Sequence, residues 1–227
     1  MAYLRYELRA LCRRRLGDLT SPYIWSDDQV NQWINDAIAA YSIHFPRRRS
    51  TTIACSDNDR SYQMPAGTIS IISVEYPDGN DPPAYLYQRE LTHPDFWRED
   101  GFYAFAPAST DTSIASLYIS EVPSTGEDIV VEFNAEHDFL DDDDIDQCTV
   151  LERHLDLIIL YVRMAAFQEL STTENADPDT TTRMSSTLET NAARAELAYR
   201  NTMQDFIAGE SNSATARWDM DRYDRVY

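Results

Sequence analysis

Trp25-Ser26-Asp27-Asp28-Gln29-Val30-Asn31-Gln32-Trp33-Ile34-Asn35-Asp36-Ala37-Ile38-Ala39-Ala40-Tyr41 reads as an amphipathic helix that carries its own start signal. Ser26 and Gln29 have the spacing of a capping box, in which each side chain bonds the other residue's backbone N–H. Trp25 before the cap and Val30 after it are placed for a hydrophobic staple. Asp27 and Asp28 sit where the helix dipole favours negative charge. Val30, Trp33, Ile34, Ala37, Ile38 and Tyr41 fall on one stripe. Pro46 then ends a helix spanning 26–44.

Upstream, Leu4, Leu8, Leu11 and Leu16 keep helical spacing over 3–16, and Gly17 follows as a stop. The exposed side of this helix is expected to carry Arg5, Arg9, Arg13, Arg14 and Arg15. Downstream, from about 50 to 135, helical periodicity is lost and Pro, Gly, Asp and Ser punctuate short β-rich runs. Residues 68–76 alternate first as Ile69 and Ile71, then as Ile72, Val74 and Tyr76, a slip of phase that a bulge would produce. Ile129, Val131 and Phe133 alternate with Val130, Glu132 and Asn134, and residues 114–122 read as a strand before them. Pro123-Ser124-Thr125-Gly126 is expected to join those two strands as a hairpin. The region reads as a small antiparallel sandwich or barrel.

Helical texture returns after Asp141-Asp142-Asp143-Asp144. Residues 147–170 place apolar groups around more than one face, which predicts a helix buried on several sides. Asp177-Pro178 is a helix start, followed by the stripe Met184, Leu188, Ala192, Ala195, Tyr199, Met203 and Phe206, with Gly209 as the stop. Residues 210–227 then read as a linker and an aromatic, arginine-rich tail. The expected fold is therefore α+β: a bundle of about four helices (1–49 and 137–209), an inserted antiparallel β-rich domain (50–136) and an extended C-terminal tail (210–227).

The 227 residues carry a formal net charge of −20, and all 19 basic residues are arginine. Such a surface repels nucleic acid and disfavours a conventional DNA-binding role. It equally suits a high-salt cytoplasm, where a Debye length of roughly 3 Å at molar salt screens self-repulsion. The opening residues Met1 to Glu7 lead into no apolar run, so no secretory signal is expected. The most apolar run, Leu157-Ile158-Ile159-Leu160-Tyr161-Val162, is far short of the roughly 20 residues a membrane span needs. No membrane contact is expected.

Catalytic and cofactor signals are weak. Cys12, Cys55 and Cys148 lack disulfide or zinc spacing and read as buried thiols. His44, His93, His137 and His154 are scattered. The acidic run lacks the glycine and distal glutamate of an EF-hand and reads as a solvated linker that favours the next helix's N-terminus. With six glycines and no phosphate-loop, nucleophile-elbow or dinucleotide motif, neither enzyme activity nor a cofactor or metal is expected. Arg47-Arg48-Arg49 at the helix-to-sheet crossing can meet phosphate, solvent or a neighbouring subunit's carboxylates, and is the candidate intersubunit group.

Leu8-Arg9-Ala10-Leu11-Cys12-Arg13-Arg14-Arg15-Leu16-Gly17, followed by Trp25 to Ala37, resembles the head–tail adaptors (connector proteins) of tailed bacteriophages and related archaeal viruses. The order of two helices, β insertion, two helices and tail resembles them too. The resemblance implies a structural virion protein, made in the host cytoplasm, that forms a ring, commonly of twelve copies. Such a ring joins the portal to the neck or tail and lines the channel for passing double-stranded DNA without binding it specifically. By the same resemblance the C-terminal segment docks on the portal, with Trp218, Met220, Tyr223 and Tyr227 as apolar anchors and Arg217, Arg222 and Arg225 pairing with carboxylates. The alternative is a non-enzymatic protein- or ligand-binding module of a salt-adapted cell.

Overall fold

A computed structural model describes residues 3–109, 114–176 and 182–223, with side chains in the last two helices described for 155–173 and 187–210. The chain forms two compact units: Met1–His44 together with Asp138–Tyr227, and Phe45–His137.

In the first unit, α1 (Arg5–Leu16) starts with Glu7 accepting the Leu4 N–H at 3.0 Å. It stops where Gly17 turns left-handed (φ +78°), so that Asp18 N–H can reach the Arg13 carbonyl at 3.1 Å. Helix α2 (Asp27–His44) opens with the expected reciprocal cap. Ser26 N–H donates to Gln29 Oε1 at 2.9 Å and Gln29 N–H to Ser26 Oγ at 3.2 Å. Val30, Ile34, Ala37, Ile38 and Tyr41 are buried, and the Trp25 ring meets the edge of Trp33 at 6.0 Å.

The third helix begins later than the sequence suggests. Residues 147–150 are not helical: Gln147 bridges Leu4, and Cys148 N–H donates to the Tyr3 carbonyl at 2.8 Å. A single 3-10 turn (Glu152–His154) then leads into α3 (Leu155–Ala176). The N-terminal segment at Tyr3 and Leu4 offers Gln147 and Cys148 backbone partners that compete with a helical turn. As expected, α3 is buried around much of its girth, at Leu155, Leu157, Ile158, Ile159, Val162 and Ala166. Helix α4 (Thr182–Tyr223) packs along it through Ala192, Ala195 and Met203, with Tyr161 and Tyr199 edge to face at 5.4 Å. The expected start at Asp177-Pro178 lies outside the described residues. The expected stop at Gly209 does not occur, and the helix runs on to Tyr223 instead of giving way to an extended tail. Gly209 is not left-handed, no proline follows it, and an isolated helical glycine costs only about 1 kcal/mol.

The second unit is a two-sheet sandwich. One sheet has the order β1-β7-β3, from Arg47–Ala54, Asp128–Ala135 and Thr68–Glu75. The other has the order β2-β6-β5-β4, from Ser61–Gln63, Ser116–Ile119, Phe102–Ala106 and Tyr87–Gln88. All pairs are antiparallel except β4 with β5. Val74, Ile129, Val131 and Phe133 from the first sheet share one core with Tyr62, Tyr103, Leu117 and Ile119 from the second. The phase slip in β3 is real: its register with β7 shifts between Thr68 and Ser70 and again between Ile71 and Ser73. The expected hairpin is not. The strands β6 and β7 that flank residues 123–126 lie in different sheets. Both bury alternate residues in the same core from opposite sides, so the link between them has to cross from one sheet to the other.

Candidate functional site

Helix α1 carries arginines at positions 5, 9 and 13, four residues apart and so on one face. That face is not exposed, contrary to the sequence expectation. Arg5 Nε donates to Asp143 Oδ1 at 2.5 Å and Arg5 Nη1 to the Leu140 carbonyl at 3.1 Å. Arg9 holds both Asp143 oxygens, at 3.0 and 2.8 Å. Arg13 is buried. It bonds Asp18 Oδ2 at 2.5 Å, Asp27 Oδ1 at 2.6 Å and the Trp25 carbonyl at 2.9 Å, with its guanidinium over Tyr23 at 4.0 Å. Arg14 and Arg15 do face solvent.

The acidic run is thus a loop tethered through Asp143, with Asp141, Asp142 and Asp144 left exposed as expected, and it ends well before the start of α3 rather than at its first turn. Leu140 N–H donates to Asn35 Oδ1 at 3.0 Å. Asp146 accepts the N–H groups of Asp141 and Asp142, both at 2.7 Å. The Arg9 and Arg5 guanidiniums hold the Asp143 carboxyl down to about 2. A carboxyl depressed below its ordinary value of 3.8 contributes stability that is complete above that pH and is lost as pH falls towards the depressed value. The thermal midpoint of the wild type should therefore exceed that of Asp143→Asn above about pH 4, with the gap closing by about pH 2. Paired melting curves over that range check it; a gap that is independent of pH refutes the pairing.

The arginine triplet lies inside β1. Arg47, Arg48 and Arg49 pair in register with Ala135, Asn134 and Phe133. Arg48 forms an ion pair with Glu132 on the neighbouring strand and holds that carboxyl below its usual range. Glu132 also accepts Ser73 Oγ at 3.3 Å, and neither Arg47 nor Arg49 is without a partner. Of the C-terminal candidates, Arg217, Trp218, Met220, Arg222 and Tyr223 fall on the α4 backbone, though their side chains are outside the described residues; Arg225 and Tyr227 lie outside them altogether.

Just before that segment, α4 is clasped by a buried histidine. His154 Nδ1 lies 2.8 Å from the Tyr41 hydroxyl, its ring is 4.4 Å from Phe206, and Nε2 is 3.9 Å from Glu210, which also pairs with Arg153. Burial, aided by Arg153, pushes its pKa down and favours the neutral ring. All three cysteines are buried free thiols, and burial pushes Cys12 up to about 12. Among the described residues no group of three or more His, Cys, Asp or Glu is arranged to hold a metal ion, and no helix is long and apolar enough to cross a membrane. What the surface offers is large apolar side chains in the open, with Ile43 and Ile145 each 74% exposed and Ile24 66%.

A profile of the SU10 adaptor protein family matches residues 5–220. The chain belongs to this family. The match takes in α1 and α2, the whole β sandwich, and α3 with nearly all of α4. The resemblance carried by Leu8–Gly17 and Trp25–Ala37 therefore extends over almost the entire chain, and identifies a structural phage adaptor, a component of the virion. No curated protein matches the chain. The one sequence trace of the α1 network is the four-residue spacing of Arg5, Arg9 and Arg13, which puts them on one face without saying whether that face meets water or carboxylates.

Proposed function

We propose that this adaptor forms a ring of copies between the portal and the neck or tail, with DNA passing through it. The observation that carries the reading is the family match across both units. The charge supports it. Nineteen arginines against 39 acidic residues give a surface that repels phosphates and lets a duplex pass without sticking. In this reading the α4 segment beyond Glu210 docks on the portal, with Arg217, Arg222 and Arg225 as charged contacts and Trp218, Met220, Tyr223 and Tyr227 as anchors, types that dominate interface energetics. Arg47 to Arg49 serve the contact between neighbouring copies.

The test is co-assembly with the portal protein of the same virus. Full-length protein should bind and appear as rings by electron microscopy. Protein ending at residue 210 should keep its circular dichroism melting midpoint and lose portal binding by a hundredfold or more, about 3 kcal/mol. Unchanged affinity of the truncated protein refutes the docking role. The lysine-free composition also favours the reading of a salt-adapted binding module. Salt dependence of folding fits both readings, and ring formation with a portal separates them.

A further inference from the structure

Resting on the ring reading, we propose that neighbouring copies join through a lock between the acidic loop 139–145 of one and a cleft between α1, α3 and α4 of the next. The cleft, of about 310 Å³, is lined by Arg15, Asp156, Ile159, Leu160, Arg163 and Thr202. Its floor is apolar: Ile159 is buried and Leu160 half-buried. At its rim stand Arg15 and Arg163, both exposed. Neither guanidinium forms an ion pair among the described residues, whereas Arg5, Arg9 and Arg13 on the same helix as Arg15 all do. Asp156 is the one carboxylate in the lining, so the cleft keeps a net positive rim over an apolar floor, which in a chain of net charge −20 suits an acidic segment with apolar side chains.

The loop has that chemistry. Phe139 is 48% and Ile145 74% exposed. Between them Asp141, Asp142 and Asp144 are exposed and pair with no cation among the described residues. The remaining loop groups face inward and fix its shape: Leu140 is buried and bonded by Asn35, and Asp143 is held by Arg5 and Arg9. A loop fixed in advance loses little freedom on docking.

A copy does not fill its own cleft, whose lining includes no residue of the loop. The loop is tied to α1 at Arg5 and Arg9, while the cleft takes Arg15, about 15 Å and about 9 Å further along the helix at 1.5 Å per residue. Two different, complementary patches at opposite ends of one helix make a head-to-tail contact, the kind that closes into a ring when the rotation between copies allows. Charges at such a contact fix register and suppress wrong pairings.

Charge reversal tests this in the full chain. One variant carries Arg15→Glu and Arg163→Glu, the other Asp141→Arg and Asp144→Arg. All four side chains are exposed, and circular dichroism confirms folding. Assembly is read by sedimentation and electron microscopy, with and without the portal protein. Each variant alone should self-associate at least a hundredfold more weakly than wild type, and an equimolar mixture should recover it, because reversed loop then meets reversed cleft. Variants that assemble like wild type overturn the lock and leave the ring reading standing. Folded variants whose mixture stays dispersed also overturn it. A wild type that never assembles, with or without the portal protein, overturns the ring reading and the lock with it.

Discussion

Replacing Arg13 with methionine should lower the stability of the helical unit by about 3–5 kcal/mol, because it strands a buried carboxylate. Arg13 and Asp18 are 6% and 3% exposed. The guanidinium satisfies Asp18, Asp27 and the Trp25 carbonyl at once, and Asp18 Oδ1 accepts the Ile24 N–H at 2.9 Å. The cluster therefore holds the link between α1 and α2 in one shape. Methionine keeps most of the volume and removes every donor. The neighbouring Arg14→Met, at an exposed position with no ion pair among the described residues, should change stability by no more than about 0.5 kcal/mol. Urea denaturation of both variants separates a charge-pair effect from a general intolerance of substitution in α1. Adding Asp18→Asn to Arg13→Met should recover over half the loss, since the amide oxygen still accepts from Ile24 and no charge is left buried. A double variant no better than the single one would show that the cost does not come from the stranded charge.

The same cluster shows where sequence reading stops. Helical spacing over Leu4, Leu8, Leu11 and Leu16 marks the inner side of α1, where Leu8 is fully buried, and Gly17 marks the stop, because those depend on residues within a turn or two. The partner of Arg5 and Arg9 is Asp143, 138 and 134 residues away. Nothing local distinguishes an arginine facing water from one facing a distant carboxylate. The α2 cap was legible for the opposite reason: Ser26 and Gln29 are three residues apart and satisfy each other. The sandwich was legible as a class, from alternation and turn residues. The partner of each strand was not. Pro123-Ser124-Thr125-Gly126 has turn chemistry whether the chain returns along the same sheet or crosses to the other, and the core decides between them. The helix past Gly209 is not legible in the sequence, because glycine weakens a helix by an amount its neighbours can offset. Of the candidate site residues, Arg48 shows the same limit as Arg5, with its ion pair to Glu132 formed across the sheet.

Strand β7 is the second place where one substitution should have a large effect. Phe133→Ala is expected to destabilise the β unit by about 3–5 kcal/mol. Phe133 is 2% exposed, lies in the middle strand of its sheet, and faces a core that both sheets share. Its backbone is in register with Arg49 on one side and Ile71 on the other. The cavity left by the ring therefore opens beneath the one strand that pairs with both β1 and β3, within the core cluster that also holds Leu117 and Ile119. Phe133→Leu keeps the site apolar and most of its volume, and should cost less than half as much. Amide hydrogen exchange is the sharper readout, because protection in the middle strand reports opening of the sheet as a whole. Exchange at β1, β7 and β3 should quicken together in Phe133→Ala. A loss confined to the residues flanking 133, or a cost below about 1 kcal/mol, would mean that the two sheets do not close on a common core. The alternation of Ile129, Val131 and Phe133, the plainest strand signal in the chain, would then have misled on packing as the turn after Pro123 misled on topology.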